Sequence, residues 1–187
     1  MLKRKLHGVT LVELLVVIAI ILIMAMFALP GVNDIYLKLL SKTELERWRA
    51  NIQLTRQTAI SSQSRAQLCP SINGLACNGN WHQGGMVFVD KDLDGQWSAN
   101  DKLIRRVPAA EESFTVSWRS FQGKAFLQFN ANGFTHAQNG TLLICSSNGA
   151  RYHRAVIVSR SGRARISRDY DGDGVHETSQ GNAIDCD

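Results

Sequence analysis

A long apolar run near the N-terminus constrains this chain more than any other feature. Residues 9–29 read VTLVELLVVIAIILIMAMFAL and hold one charged side chain, that of Glu13. A helix of this length, at about 1.5 Å per residue, spans about 30 Å, the thickness of a bilayer's hydrocarbon core. Lys3, Arg4 and Lys5 precede the run, so the positive-inside rule predicts a cytoplasmic N-terminus. The sequence therefore predicts one membrane-spanning helix followed by an exported head.

Two features argue against a cleaved secretory signal peptide. The apolar run continues through Pro30 into a second helical pattern, without a clear small-residue cleavage site. A lone carboxylate in lipid is also unfavourable unless it has a partner. Glu13 therefore indicates a specific interaction within the membrane rather than a plain signal or anchor.

The residues around Glu13, GVTLVEL at positions 8–14, resemble the leader and first helical turn of type IV pilins and type II secretion pseudopilins. In that family a prepilin peptidase cuts after the glycine, here Gly8, and methylates the new N-terminus, here Val9. The usual first mature residue in the family is Phe. The resemblance implies that Glu13, the fifth mature residue, pairs with the N-terminal amine of a neighbouring subunit during assembly.

The same resemblance implies an α+β chain with the type IV pilin fold, in which a long N-terminal α-helix packs on a small antiparallel β-sheet head. We expect a class III leader at 1–8, a transmembrane and assembly helix at 9–30, an amphipathic helix at 31–64 and a β-rich head at 65–187. Proline removes a backbone donor, so Pro30 with Gly31 predicts a kink. The expected location is the bacterial inner membrane, single-pass with the head periplasmic, and then a pilus or pseudopilus.

Hydrophobic periodicity predicts how the remainder folds. Between residues 33 and 62, one helical stripe is formed by Ile35, Leu39, Leu45, Trp48, Ile52 and Ala59. Beyond Cys69, short β-type runs separated by turn residues occupy 84–90, 102–107, 114–120, 124–130, 141–147, 154–161 and 163–169. We therefore predict two small sheets packed on the C-terminal half of the helix.

Four cysteines lie on the exported side, where the compartment permits disulfides. Pairing Cys69 with Cys77 closes a short loop, and pairing Cys145 with Cys186 holds the C-terminus to a strand. We favour this pairing among the three that are possible. A zinc site is the alternative, but the sequence has no CxxC and no histidine at ligand spacing.

Charge is distributed unevenly near the C-terminus. Residues 151–168 (RYHRAVIVSRSGRARISR) hold six arginines and no acid, whereas residues 169–187, the acidic tail, hold six acids and no Lys or Arg. If the arginine block forms two strands, the pleat places Arg163 and Arg165 on one face, with Arg160 across the turn. Guanidinium groups grip phosphate oxygens at two points, which suits DNA. The alternative is a solvated hairpin whose arginines pair with the acidic tail.

The sequence Gly162-Arg163-Ala164-Arg165, with a cysteine pair around it, is similar to the GRxR motif of FimT-type minor pilins, which bind DNA for uptake in natural transformation. The resemblance implies that Gly162 forms the turn and that Arg163 and Arg165 contact phosphates, with Arg160 as a third contact. We add Arg168 to this set. Few aromatic residues interleave the arginines, so we expect little base stacking and low sequence preference.

Two acid-rich stretches resemble calcium loops. The spacing of an EF-hand loop is met at Asp90, Asp92, Asp94 and Asp101. The first half of such a loop is met at Asp169, Asp171, Asp173 and Glu177. Because Asp-x-Asp-Gly is also good turn chemistry and neither stretch has flanking helices, we interpret both as turns and predict no metal and no cofactor.

Composition and motifs exclude several functions. With 44% hydrophobic and 20% charged residues and only 3 prolines, the chain is neither collagen-like nor wholly disordered. No nucleotide-binding, hydrolase or metalloprotease motif occurs, so we predict no enzyme and no small-molecule substrate. We predict a FimT-type minor pilin of the GspH/FimT family whose partners are double-stranded DNA, other pilins and prepilin peptidase. The alternative is a GspH-type pseudopilin of a type II secretion system that binds pseudopilins or secreted proteins.

Overall fold

The computed structural model describes residues 9–135, 137–178 and 181–186, and of residues 27–30 it describes the backbone. Gly8 and the rest of the predicted leader lie outside the described residues. The chain divides into two compact units, one ending at Leu39 and one beginning at Leu40. The second unit contains all the elements that position the candidate site.

One long helix, α1, runs from Leu11 to Ser62. Its start is capped, because the Glu13 amide donates to Thr10 Oγ1 at 3.2 Å. No single described helix has the length and hydropathy of a membrane span, but Leu11–Met26 and Gly31–Ser62 meet both conditions together, as a pair bent by 41°. The apolar side chains between Val9 and Met26 are largely exposed in the isolated chain.

The buried stripe of α1 begins later than the periodicity predicts. Leu45, Trp48 and Ile52 are at most 3% exposed, as expected. Ile35 and Leu39, which the sequence assigns to the same stripe, are 66% and 61% exposed. This part of the prediction was wrong, because both residues belong to the first unit, whereas the helix contributes to the core of the second unit from Leu40 and Leu45 onward.

The described residues form eight strands, arranged in two four-stranded antiparallel sheets. They are β1 Arg65–Pro70, β2 Gly85–Asp90, β3 Lys102–Val107, β4 Phe114–Ser120, β5 Leu127–Phe129, β6 Gly140–Ser146, β7 Arg154–Val158 and β8 Ala164–Ile166. The first sheet has the order β3-β2-β1-β5, and the second has the order β4-β6-β7-β8. Four of the seven predicted runs match strands closely, and the other three, 124–130, 154–161 and 163–169, are shortened to β5, β7 and β8.

Strand β1 was not predicted, although it occupies the middle of the first sheet. It pairs with β2 along its whole length and with β5 over Ala66 to Leu68. Its sequence, RAQLCP, has no β-branched or aromatic residue and carries a polar side chain, Gln67, that is buried. Pairing on both sides therefore forms this strand without a strong local preference for it.

A single hydrophobic cluster joins α1 to both sheets. Trp48 of the helix contacts Trp81 with ring centroids 5.7 Å apart, and Trp81 contacts Trp118 of β4 at 6.2 Å. Buried residues from each of the strands β1 to β7 complete the cluster. Burial of this helix stripe and of both inner sheet faces is the main stabilising contribution to the second unit.

Two disulfides join the pairs favoured from the sequence. Cys69 bonds to Cys77, and Cys145 of β6 bonds to Cys186. Ile184 packs with Leu143 and Ala155 on the face of the second sheet that points away from the main core. The C-terminal segment therefore covers that outer face, next to the hairpin of β7 and β8.

Candidate nucleic-acid interface

Strands β7 and β8 form the arginine hairpin, residues 154–166, at the edge of the second sheet. Their register pairs Val158 with Ala164 and Ile157 with Arg165. Ala164 and Ile166 pack against the main core. Because side chains alternate along a strand, Arg165 lies on the opposite, outer face, where it is exposed. Arg163, two residues earlier, is also exposed.

Backbone hydrogen bonds hold the turn of this hairpin in one conformation. The Ser159 amide donates to the Arg163 carbonyl at 3.1 Å, and the Gly162 amide donates to the Ser159 carbonyl at 2.8 Å. From outside the hairpin, the Thr135 amide donates to the carbonyl of Arg160 at 3.1 Å. The exposed Arg160 side chain therefore extends from a fixed backbone position.

Gly162 occupies a position in this turn that excludes any other residue. Its φ is +77°, in the left-handed region, and a Cβ built on it would lie 1.9 Å from the carbonyl oxygen of Gly133. Arg56 of α1 donates from Nε to that same carbonyl at 3.0 Å. The glycine thus allows the turn to pack directly on the loop before β6 and on the helix.

A groove of about 410 Å³ runs beside β8 and is rich in arginine. Its walls are formed by Arg49, Ile157, Arg163, Ala164, Arg165, Ile166, Arg168, Tyr170, Glu177 and Thr178. We call it the arginine groove. Its four arginines, Arg49, Arg163, Arg165 and Arg168, come from α1, from the hairpin and from the segment after it.

Arg49 is the member of the groove that the sequence did not predict. It lies on the polar face of α1, far along the chain from the other three arginines. Its Nη1 lies 3.3 Å from the carboxylate of Glu46, and its buried Nε has no acceptor among the described residues. No local pattern indicates this residue, because only the packing of α1 beside β8 brings it to the groove.

The acidic tail folds mainly onto its own backbone. The Asp169 carboxylate accepts from the amides of Gly172 and Gly174 at 2.7 and 3.0 Å. Glu177 is buried and accepts from the Tyr170 amide at 2.7 Å. Within residues 9–135, 137–178 and 181–186, no ion pair joins a carboxylate to the guanidinium groups of Arg160, Arg163, Arg165 and Arg168.

Arg154, also in the arginine block, has a structural position instead. It is 8% exposed, and its Nη1 donates to the carbonyls of Arg151 and His153 at 2.9 and 2.6 Å. Burial lowers the pKa of this guanidinium, while the nearby Asp169 raises it. Burial also lowers the pKa of His176, and Arg154 lowers it further. The block therefore divides into exposed arginines and a buried one.

The remaining predicted site residues lie elsewhere. Val9 and Glu13 are exposed near the start of α1, in the first unit. The carboxylates of Asp90, Asp92 and Asp94 lie together, as do those of Asp169, Asp171, Asp173 and Glu177, with ligand oxygens in each group within 4.8 Å of one another. The carboxylate of Asp101 is not grouped with the first three and accepts from the amides of Lys91 and Ser98.

Comparison with known families identifies the chain. The family model described as "Type II transport protein GspH" matches residues 44–162, more than half of the chain. The chain belongs to the GspH family. A second model, "Prokaryotic N-terminal methylation motif", matches residues 3–29 of this GspH-family protein and includes Gly8, Val9 and Glu13. No curated protein sequence matches the chain.

Solved structures confirm the fold of this GspH-family protein. A crystal structure of the type IV minor pilin FimU from Pseudomonas aeruginosa aligns with a TM-score of 0.53 and 20% identity, over 68% of this chain and 92% of FimU. A second crystal form of FimU aligns with a TM-score of 0.54 and 20% identity, over 74% of this chain and 93% of FimU. The α+β type IV pilin fold predicted from the sequence is therefore correct.

Family and fold together give the general role. The GspH-family protein is a pilin-like or pseudopilin-like structural subunit. Its methylation motif implies processing by a prepilin peptidase, membrane anchoring and assembly with other pilins. The GspH match ends at residue 162, so Arg163, Arg165 and Arg168 lie beyond the matched residues.

Proposed function

We propose that this protein is a FimT-type minor type IV pilin that binds extracellular double-stranded DNA through the arginine groove, for uptake in natural transformation. One observation carries the proposal: four arginines from three parts of the chain line one open groove. Arg160, exposed at the hairpin turn, extends the same positively charged surface. We infer that Gly162 keeps the turn in the conformation that presents these side chains.

The spacing of the arginines suits a phosphate backbone. Arg163 and Arg165 are two residues apart, and Cα atoms at that separation along a strand lie about 6.6 Å from each other. Two guanidinium groups at this distance can contact different phosphates of one strand, each through two N–H donors. Arg49 adds a further guanidinium group to the wall of the groove, where its Nη1 lies 3.3 Å from the Glu46 carboxylate.

The groove is suited to bind DNA of many sequences. Arg163, Arg165 and Arg168 are exposed, and Tyr170 is the one aromatic residue among the described residues that line the groove, so backbone contacts dominate over base stacking. With four or five phosphate contacts, the logarithm of the binding constant should fall with a slope of about −4 against the logarithm of salt concentration. Strong salt dependence is therefore part of the proposal.

In this proposal, incorporation of the subunit into the pilus places the arginine groove outside the cell. Cleavage after Gly8 and methylation of Val9 would release the mature subunit, which spans the inner membrane once with its head in the periplasm. Glu13 would then pair with the N-terminal amine of a neighbouring subunit, because a carboxylate in lipid requires a partner. The exposed apolar side chains of residues 9–26 fit both a membrane and a filament core.

A second candidate function is that of a GspH-type pseudopilin in a type II secretion system. The observation that favours it is the description of the matching family as a type II transport protein. In that case the head would bind other pseudopilins or secreted proteins, and the arginine groove would have no affinity for DNA.

Gel shift and fluorescence anisotropy with the full chain in non-ionic detergent separate the two candidates. We expect double-stranded DNA to bind at 50 mM salt and much less at 200 mM. Arg163→Ala/Arg165→Ala should weaken binding about a hundredfold, because each lost charged contact is worth about tenfold. Arg105→Ala/Lys124→Ala removes two exposed charges elsewhere and serves as the matched control. Absence of binding by the wild type at low salt would favour the pseudopilin.

A further inference from the structure

The loop between β2 and β3, residues 90–101, brings three carboxylates together. Asp90, Asp92 and Asp94 each offer an oxygen within 4.8 Å of the others. Strand β2 ends at Asp90, and its ladder with β3 pairs Val89 with Lys102 directly beyond the loop. The antiparallel ladder therefore fixes both ends of the loop, the task that two helices perform in an EF-hand.

Asp90 has a buried oxygen without a partner. The residue is 0% exposed, and its Oδ2 accepts from the Gly95 amide at 3.1 Å. Its Oδ1 is also buried and has no hydrogen-bond partner among the described residues. Burial of an ionised carboxylate is unfavourable unless a positive charge or a full set of donors compensates it.

No ion pair to the Asp90 carboxylate is found in the described part of the chain. The carboxylate of Asp101 adds a further negative charge nearby and accepts from the amides of Lys91 and Ser98. Arg65 is the nearby base, but its Nη1 donates to the carbonyl of Leu93 at 2.8 Å. The site therefore combines clustered carboxylates with a buried oxygen that lacks a positive partner.

We propose that residues 90–101, the acidic loop, bind Ca²⁺ through the carboxylates of Asp90, Asp92 and Asp94. Ca²⁺ binds oxygen ligands at about 2.3 to 2.6 Å, so two oxygens on one ion lie at most about 5 Å apart, and these three oxygens lie within 4.8 Å of one another. All three donors are hard oxygens, which exclude a preference for zinc or copper. Mg²⁺ requires a smaller, near-ideal octahedral shell and fits an irregular set of protein ligands less well.

The second acidic group shows why Asp90 carries the inference. Asp169, Asp171, Asp173 and Glu177 also have oxygens within 4.8 Å of one another. Its buried member, Glu177, accepts from the Tyr170 amide, and no orphaned buried oxygen is found there in the described part of the chain. This group therefore serves as the control. For the acidic loop, the proposal revises our sequence-based interpretation as a turn without metal.

Terbium luminescence tests the proposal with the full chain in detergent. Tb³⁺ replaces Ca²⁺ and emits when a nearby indole transfers energy to it. Trp97 lies in the acidic loop and packs on Phe88 with ring centroids 5.4 Å apart. We expect luminescence that Ca²⁺ abolishes by competition, with a Ca²⁺ dissociation constant on the order of 10⁻⁴ M, as in extracellular calcium modules.

A pair of matched variants tests which of the two acidic groups binds the ion. Asp92→Asn should weaken Tb³⁺ and Ca²⁺ binding at least tenfold, whereas Asp171→Asn, in the second acidic group, should leave both unchanged. Asp92 and Asp171 are exposed, so neither substitution disturbs the core. Absence of luminescence, a smaller effect of Asp92→Asn, or an equal loss in Asp171→Asn would each overturn the proposal.

Thermal unfolding provides a readout that does not depend on the indole. Ca²⁺ at 5 mM should raise the unfolding midpoint of the wild type by about 5 °C, because ligand bound only to the folded state stabilises it. Mg²⁺ should have a smaller effect, and Asp92→Asn should not respond to Ca²⁺. In EDTA, Asp92→Asn should unfold near the wild-type temperature, which shows that it folds. A wild-type midpoint unaffected by Ca²⁺ contradicts the proposal.

Discussion

The acidic loop and the arginine hairpin form a natural comparison, because each is a charged connection at an edge of its sheet. The acidic loop joins β2 to the edge strand β3, and the arginine hairpin ends at the edge strand β8. Their charges differ in burial as well as in sign. Asp90 is fully buried, whereas Arg160, Arg163 and Arg165 are exposed.

This difference determines what kind of ligand each region suits. A buried carboxylate needs a compact positive charge that fits inside the loop, so it suits a small cation. Exposed guanidinium groups spread along a groove have no need of a ligand for folding, and they match an extended polyanion. Burial therefore separates the two proposed functions more clearly than the sign of the charge does.

The largest expected effect is a difference in unfolding free energy between variants that lack the disulfide of one sheet or of the other. Loss of the Cys145–Cys186 bond should destabilise the fold by about 4 kcal/mol, and loss of the Cys69–Cys77 bond by about 2.5 kcal/mol, because the loops they close differ in length, at sequence separations of 41 and 8. Denaturant unfolding of the two Cys→Ser double variants measures both. Equal losses would contradict the loop-length argument.

The same two Cys→Ser double variants also test whether a disulfide supports DNA binding at the arginine groove. Cys186 holds the C-terminal segment against the second sheet, beside residues that line the groove. DNA affinity should therefore fall in Cys145→Ser/Cys186→Ser and stay near the wild-type value in Cys69→Ser/Cys77→Ser. Anisotropy at a temperature where both variants remain folded tests this difference.

The next effect compares one glycine in each region. Gly95 of the acidic loop and Gly162 of the hairpin have nearly equal φ values of +78° and +77°. Gly95→Ala meets no atom within 4 Å and should cost about 1 kcal/mol, from backbone strain alone. Gly162→Ala should cost about 3 kcal/mol or more, because its Cβ would collide with the Gly133 backbone.

Thermal unfolding of these two alanine variants provides the measurement. The midpoint should fall about three times further for Gly162→Ala than for Gly95→Ala. If the two fall equally, then the close packing of the hairpin turn on the loop before β6 does not contribute to stability.

A smaller effect should appear in DNA affinity and not in stability. Arg49→Ala should weaken DNA binding about tenfold and leave stability nearly unchanged, because the loss is one charged contact. Lys42→Ala removes an exposed base from the same helix and is the matched control. Anisotropy should show a loss for Arg49→Ala only. Equal affinities for the two variants would remove α1 from the interface.

The smallest effect is a dependence of stability on pH. Burial, and then Arg154, lower the pKa of His176 below its ordinary value of 6.5. The unfolded chain therefore binds a proton at His176 more readily than the folded chain does. Its contribution to stability is complete above about pH 6.5 and is lost as the pH falls through 6.5 toward the folded-state pKa. Unfolding between pH 5 and 8 should show this slope in the wild type and a smaller one in His176→Gln.

Much of the fold follows from local patterns. Helical periodicity predicted that Leu45, Trp48 and Ile52 would be buried, and alternation with turn residues located seven of the eight strands. The same patterns failed at β1, whose residues lack strand preference and pair only because β2 and β5 lie on either side. They also failed at Ile35 and Leu39, because helical periodicity identifies the apolar face of a helix but not the residue at which that face becomes buried.

The candidate site was only partly predictable, for a similar reason. The motif around Gly162 and the alternation of Arg163 and Arg165 are short-range features that can be read from neighbouring residues. Arg49 could not be found in this way, because its distance in sequence from the hairpin hides its position in the groove. The buried, unpartnered oxygen of Asp90 was equally hidden, since the spacing of its loop fits a plain turn.

The sequence by itself determined the local chemistry of this protein: an apolar first helix with one carboxylate, a leader motif, four cysteines after the long helix and a cluster of arginines beside a glycine. Only the tertiary structure decided which charged side chains are buried and which come together in the arginine groove. Burial and convergence depend on contacts between residues far apart in the chain, and these contacts arise only when the helix and both sheets close around one core.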